Sequence, residues 1–88
     1  MILQEIKQLM TSHGARVVGT ISEFFGKDPM DVNDGLWISA EDTPRLFDYY
    51  EGWPDTFGIN PKMNELVEEN GWYFEWYDAG TLFLIQDL

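Results

Sequence analysis

The sequence contains no cysteine and a single histidine, His13, among its 88 residues. Without cysteine the chain forms neither disulfide bonds nor thiolate metal sites, so the fold must be stabilised by packing alone. One histidine also excludes a metal site built on several histidine ligands. His13 ends an apolar helical stripe, where a capping role is commoner than a catalytic one. We therefore expect no metal site and no histidine-based catalysis.

Basic residues are scarce as well. Five Lys and Arg stand against sixteen Asp and Glu, which gives a net charge of −11. Binding to nucleic-acid phosphates requires clustered positive charge, and here the basic residues are scattered singly along the chain. We therefore expect no nucleic-acid ligand, and an anionic membrane surface is disfavoured for the same reason. A basic protein surface would instead be attracted, although a high net charge also serves solubility alone.

Long apolar runs and catalytic motifs are missing too. A membrane-spanning helix needs about 18 consecutive apolar residues, and no segment of the chain approaches that length. Residues 1–7 also lack the basic region of a secretory signal. We therefore expect a cytoplasmic protein. The serines have no nucleophile-elbow context, and the glycines do not form a phosphate loop. Neighbouring carboxylates such as Glu68 and Glu69 diverge on a helix, whereas glycosidase chemistry needs two that face one cleft. We expect neither an enzyme nor a cofactor.

The polar segment 28–35 contains three aspartates and an asparagine, which invites comparison with a calcium-binding loop. If Gly35 is aligned with the invariant glycine of an EF-hand, Met30 and Val32 occupy ligand positions that require oxygen. Glu41 does fall at the twelfth position, but it does not outweigh two missing ligands. Ordinary turn chemistry of Asp and Asn is the better interpretation.

Periodicity predicts an α+β fold in the order α-β-β-α-α-β-β. An amphipathic helix is predicted over 2–13, with Gly14 as its C-terminal stop. Strands are predicted at 15–21 and 36–39, and residues 22–26 could either continue the first strand or form a short turn. Asp42 or Thr43 before Pro44 predicts a helix that Gly52 ends, and Asn60-Pro61 begins another that runs to about Asn70. Between them, Trp53 and Phe57 are expected to pin an ordered loop. We expect one domain over residues 1–88, with about three helices on one face of a mostly antiparallel four-stranded sheet.

The C-terminal stretch 72–86 reads as a β-hairpin around Asp78-Ala79-Gly80, with Gly80 in a left-handed G1 bulge and Tyr77 and Thr81 closing the loop. This register places Trp76 opposite Leu82, and it gives the hairpin two largely apolar faces. We expect the first face to belong to the core; it carries Trp72, Phe74, Trp76, Leu82 and Leu84. The opposite face presents four residues whose burial the rest of the chain does not explain: Tyr73, Tyr77, Phe83 and Ile85.

Exposed aromatic residues next to carboxylates are suited to binding a basic protein. The sequence therefore favours a non-catalytic acidic interaction protein that binds, or inhibits, a basic protein such as a nuclease or a defence effector. Its candidate binding residues are the four of the outer hairpin face together with Tyr49, Trp53, Asp48, Glu51, Asp55, Asp31 and Asp34. The alternative is a domain that binds a small ligand, or forms a homodimer, through the outer hairpin face. A winged helix would end in the same helix and hairpin, but its recognition helix would repel phosphate.

Overall fold

A single antiparallel sheet forms the centre of the computed structural model, which describes residues 1–27, 34–50 and 52–87. The strand order is β1-β2-β4-β3, so the N-terminal and C-terminal hairpins meet where β2 pairs with β4. β3 and β4 are the longest strands because aromatic and β-branched residues suit a pleated, half-buried surface. The four strands are β1 Arg16–Thr20, β2 Leu36–Ser39, β3 Trp72–Asp78 and β4 Thr81–Gln86.

Two helices, α1 Leu3–Ser12 and α3 Pro61–Glu69, cover one face of this sheet. Each helix presents a narrow apolar stripe, so that few of its side chains are fully buried: Ile6 and Met10 in α1, and Met63 and Val67 in α3. They pack against Trp72, Leu82 and Leu84 of the hairpin, with Phe74 and Trp76 partly buried at the margin. The predicted core face of the hairpin is thus confirmed, as is the α+β class with its four-stranded antiparallel sheet and about three helices.

The ends of both helices follow the local signals in the sequence. The Asn60 side-chain oxygen accepts the N–H of Lys62 at 2.9 Å, and Pro61 occupies the first turn, where no N–H donor is needed. Gly14 follows α1 with φ = 90°, a left-handed conformation that glycine adopts without a Cβ clash. His13 is exposed at the end of α1, and its Nδ1 lies 2.9 Å from the carbonyl oxygen of Leu9.

A short helix, α2 Ile21–Phe24, occupies the segment that the sequence left ambiguous. Its start is a capping box: the Thr20 hydroxyl accepts the N–H of Glu23, and the Glu23 carboxylate accepts the N–H of Thr20. The helix carries Phe24 over the outer face of the sheet, against Trp37 and Phe83. The chain itself therefore partly covers both faces.

The helix predicted from Thr43 to Gly52 does not form among the residues described there. The segment instead makes turns, and Phe47 forms an isolated antiparallel bridge with Ile59. Backbone bonds extend this pairing, from the N–H of Asp48 to the carbonyl of Gly58 at 2.7 Å and from the N–H of Asn60 to the carbonyl of Leu46 at 2.8 Å. Donors and acceptors that a helix would have used internally are satisfied by a distant segment, so the local capping signal is overridden.

The hairpin register is confirmed from Trp72 to Trp76, with Trp76 opposite Leu82. The prediction for its loop is wrong in detail. Asp78, not Tyr77, pairs with Thr81, and the register shift places Tyr77 in a bulge within β3. Gly80 is not left-handed. The Asp78 carboxylate accepts the N–H of Gly80 at 3.0 Å, which closes the turn without a left-handed residue.

Candidate functional site

Backbone hydrogen bonds and one isolated bridge pair residues 46–48 with residues 58–60. We call the segment between them the aromatic loop, which the structure describes at residues 48–50 and 52–58. It contains Tyr49, Tyr50, Trp53 and Phe57. The backbone bond between Asp48 and Gly58 joins its two ends, and a 3₁₀ turn, Pro54–Thr56, folds its second half. The Thr56 hydroxyl donates to the carbonyl of Ile59. Hydrogen bonds therefore hold the base and the second half of the loop in place.

Two bulky residues of the aromatic loop have left-handed backbone conformations. Trp53 has φ = 35° and Phe57 has φ = 52°, and no other non-glycine residue in the described part of the chain has a positive φ. Such a conformation costs about 1–3 kcal/mol per residue and persists only where surrounding contacts enforce it. Phe57 was predicted to pin the loop, but its side chain is 80% exposed. The strained backbone thus presents a large apolar ring to solvent instead of burying it.

Trp76 of β3 joins the aromatic loop to the sheet. Its indole N–H donates to the carbonyl oxygen of Phe57 at 2.5 Å. Its ring packs edge-on against Tyr49, with centroids 5.2 Å apart, and Tyr49 packs in the same way against Tyr50 at 5.3 Å. Near-perpendicular rings at these distances are the preferred aromatic arrangement. The chain of contacts fixes the Tyr49 ring while Tyr50 remains 82% exposed.

Phe57 and Trp76 border two grooves. The first, which we call the aromatic groove, has a volume of about 610 Å³ and is lined by Tyr49, Tyr50, Gly52, Pro54, Phe57, Gly58 and Trp76. The second, which we call the acidic groove, has a volume of about 640 Å³ and is lined by Asp55, Thr56, Phe57, Ile59, Asn64, Glu68, Tyr73, Phe74 and Trp76. Both are open to solvent, so they suit the side chains of a partner protein better than an enclosed small molecule.

The charge along these grooves has one sign. Asp55 and Glu68 line the acidic groove, and Glu41 and Asp48 line a third depression on the other side of Tyr49 and Tyr50. Among the described residues that line the three depressions, none is Lys, Arg or His. Glu68 is oriented by the Asn64 side chain, whose amide donates to it at 3.0 Å. The surface around Phe57 is therefore apolar at its centre and negative at its rim.

The structure brings several predicted site residues together here. Asp48, Tyr49, Trp53 and Asp55 all belong to the aromatic loop, and Tyr73 of the outer hairpin face lines the acidic groove beside them. Glu51 and Asp31 lie outside the described residues.

Asp34, in contrast, is a buried residue whose side chain holds two parts of the backbone together. It is 8% exposed, and its carboxylate accepts the N–H groups of Gly35 at 2.9 Å and Ser22 at 3.2 Å. These bonds join the start of β2 to α2. Asp34 therefore has no place in the surface around Phe57.

The remaining outer-face residues lie apart from the aromatic loop. Phe83, predicted to need a partner for shielding, is only 7% exposed because Phe24 and Phe25 pack over it, with ring centroids 5.3 Å and 6.0 Å away. Tyr77 packs against Phe24 at 4.8 Å yet remains half exposed, and Ile85 is half-buried. The outer face is thus a second aromatic cluster, partly covered by α2.

Sequence reasoning missed Tyr50, Phe57 and Trp76 as site residues. Its strand face predicts that Trp76 belongs to the core. The ring is partly buried there, and it also borders both grooves. One signal was available: adjacent aromatic residues such as Tyr49 and Tyr50 cannot both face one core. Phe57 carried no such signal, because its exposure depends on a backbone conformation that its residue type disfavours.

Comparison with family models, with curated proteins and with solved structures found no match. Within the described ranges, no helix is long and apolar enough to span a membrane. The same ranges contain no group of three His, Asp or Glu residues arranged to hold a metal ion. The function must therefore be inferred from the geometry of the aromatic loop itself.

Proposed function

We propose that this protein is a non-catalytic interaction protein that binds a basic protein through the aromatic loop. The observation that carries the proposal is Phe57, an exposed ring on a left-handed backbone. It lies between the aromatic groove and the acidic groove, and the described lining of neither contains a basic residue. A fold gains nothing from holding a large apolar side chain in solvent at a conformational cost. Strain of this kind clusters at binding and catalytic sites, where it contributes to preorganisation.

The chemistry of the surface suits a protein partner. Exposed aromatic residues at the centre of a patch, surrounded by polar residues, are the usual composition of binding hot spots. Tyr49, Tyr50 and Trp76 are fixed relative to one another by ring contacts, so little side-chain freedom is lost when they are covered. The net charge of −11 favours a basic partner and accelerates its approach.

A basic protein that normally holds nucleic acid, such as a nuclease or a defence effector, has the complementary surface. Its positive groove would meet the carboxylates around Phe57, and the bound chain would occupy the place of the phosphates. Binding would then inhibit the partner by competition.

The experiment compares the wild-type chain with Phe57→Gly as bait in affinity purification from the native cell, followed by calorimetry with each isolated basic protein. We expect a basic partner that binds wild type and is lost with Phe57→Gly, with an affinity that weakens as salt concentration rises. The matched control is Phe25→Ala, which removes a 54% exposed ring from the opposite face of the sheet. A partner bound equally by wild type and Phe57→Gly, or no basic partner at all, would refute the proposal.

A second candidate function, self-association through the outer face, is favoured by a separate observation. Phe25 and Tyr77 are each more than half exposed within one continuous cluster of rings around Phe24. A second copy would cover them. Sedimentation at increasing concentration tests this: a dimer that Phe25→Ala dissociates supports it, and a monomer throughout contradicts it.

A further inference from the structure

We infer that the aromatic groove receives an arginine side chain of the partner, stacked against the rings of Tyr49, Tyr50 and Trp76 that line it. The inference rests on the proposed function and names the chemical group that the site recognises. Three observations carry it: the ring geometry, the absence of charge within the described lining, and the carboxylates in the adjoining depressions.

The rings provide the attraction. Aromatic faces carry negative electrostatic potential, so a cation within about 6 Å of a ring centroid is stabilised. Tyr49 lies nearly perpendicular to both Tyr50 and Trp76, at interplanar angles of 80° and 83°. Rings turned at right angles present faces in more than one direction, and all three of these rings line the groove. Phe57 adds a fourth ring on the same lining.

The lining also favours a weakly hydrated cation over a strongly hydrated one. Apart from the rings, its described residues are Gly52, Pro54 and Gly58, which carry no charge and no side-chain hydrogen-bond group. A strongly hydrated group would lose water here without replacement. The carboxylates that would stabilise the cation line the neighbouring depressions. Asp55 and Glu68 lie beyond Phe57. Glu41 and Asp48 lie beyond Tyr49.

Arginine fits this arrangement better than lysine. The guanidinium group is planar, weakly hydrated and able to stack on aromatic faces, while its N–H groups point outward in the plane of the group. A stacked guanidinium can therefore direct its donors towards carboxylates at the rim, where such bonds are charge-assisted. A lysine ammonium is compact and strongly hydrated, so it would lose more hydration in the same groove.

The indole N–H of Trp76 offers a direct readout, because it is bonded to Phe57 at the edge of the groove. We would titrate the ¹⁵N-labelled full chain with three capped tripeptides, acetyl-Gly-X-Gly-amide, in which X is arginine, lysine or citrulline. Citrulline has the shape of arginine without its charge. The indole signal of Trp72, which is 1% exposed in the core, serves as an internal control.

We expect the arginine peptide to shift the Trp76 indole signal progressively and to leave that of Trp72 in place. The lysine peptide should bind about two- to fivefold more weakly, and citrulline should give no saturable shift. Tyr50→Ala should weaken arginine binding about two- to fivefold, and Tyr50→Phe, which retains the ring, should restore it. Tyr50 is exposed, so neither change should disturb the fold. Equal binding of arginine and citrulline, or a preference for lysine, would overturn the inference.

The two proposals fail separately. If a basic protein binds wild type but not Phe57→Gly, while the arginine peptide leaves Trp76 unmoved, the arginine assignment is wrong and the proposed function stands. If the peptide binds as described but no basic protein depends on Phe57, the cation site stands and the proposed function is wrong.

Discussion

The indole N–H of Trp72 donates a hydrogen bond to the carbonyl oxygen of Met1 at 2.9 Å. The bond joins the first residue of the chain to the first residue of β3, and the Trp72 ring is 1% exposed beneath it. A buried indole usually has a partner for its N–H, and here the partner comes from the segment that precedes α1. The start of the chain is thereby held against the C-terminal hairpin.

Replacement of Trp72 by phenylalanine tests this contact. The change removes ring volume from the core and the donor to Met1, so we expect a loss of about 1–3 kcal/mol in the free energy of unfolding, measured by urea denaturation. Trp76→Phe is the matched control, because it removes the donor to Phe57 from a partly exposed ring and should cost less, about 0.5–1.5 kcal/mol. An equal cost for both variants would contradict the assignment of Trp72 to the core.

Two glycines with the same left-handed backbone conformation differ in the space available for a side chain. Gly58 and Gly71 have φ values of 83° and 80°. A Cβ at Gly58 would lie 2.6 Å from the carbonyl oxygen of Asp48, whereas one at Gly71 would meet nothing within 4 Å. We expect Gly71→Ala to cost about 1–2 kcal/mol, the ordinary cost of a left-handed residue with a side chain. Gly58→Ala should cost more in the same urea experiment, because it also separates the two ends of the aromatic loop.

Similar costs for the two alanine variants would show that the contact between Asp48 and Gly58 yields easily. The aromatic loop would then be less firmly closed at its base than the backbone bonds indicate.

Phe57 should separate stability from binding. Phe57→Gly relieves a left-handed conformation and loses little packing, so we expect the free energy of unfolding to stay level or rise by up to about 1 kcal/mol. Phe57→Ala keeps the strain and should be no more stable than wild type. Both variants should lose the basic partner. If Phe57→Gly destabilises the chain by more than about 1 kcal/mol, the exposed ring has a structural role that its environment does not show.

Phe24 should matter to the fold more than its neighbour Phe25. The Phe24 ring contacts four others, those of Phe25, Trp37, Tyr77 and Phe83, at centroid distances of 4.8–5.3 Å. Phe24→Ala should therefore cost about 2 kcal/mol or more in the free energy of unfolding. Phe25→Ala removes a half-exposed ring and should cost less. The reverse order in urea denaturation would show that Phe25, which follows α2, is the main cover of the sheet.

The fold was largely predictable because its signals are local or periodic. Alternation of side chains along 72–86 sets the register of the hairpin, and Asn60-Pro61 begins α3 where its capping chemistry requires. The sequence Thr20-Ile21-Ser22-Glu23 also carries the capping-box pattern with which α2 begins.

The aromatic loop was not predictable from the same kind of signal. Thr43 and Pro44 favour a helix locally. The structure instead pairs Phe47 with Ile59 and Asp48 with Gly58. These contacts join residues about ten positions apart, and no helical or strand periodicity in the sequence indicates them. The left-handed conformations of Trp53 and Phe57 are disfavoured by their residue types, so only the assembled structure shows them. The site arises where tertiary contacts override local preference.

The bond between Asp48 and Gly58 at the base of the aromatic loop makes the tip of the loop exchangeable. The entropy cost of closing a loop grows only slowly with its length, so residues between these two anchors can be replaced or extended without a large effect on the sheet. Trp76, which contacts Tyr49 and Phe57, would be available to pack against each new tip. The same scaffold could thus be turned towards a different partner by grafting a new segment between Asp48 and Gly58, much as antibody domains vary their loops over a constant framework.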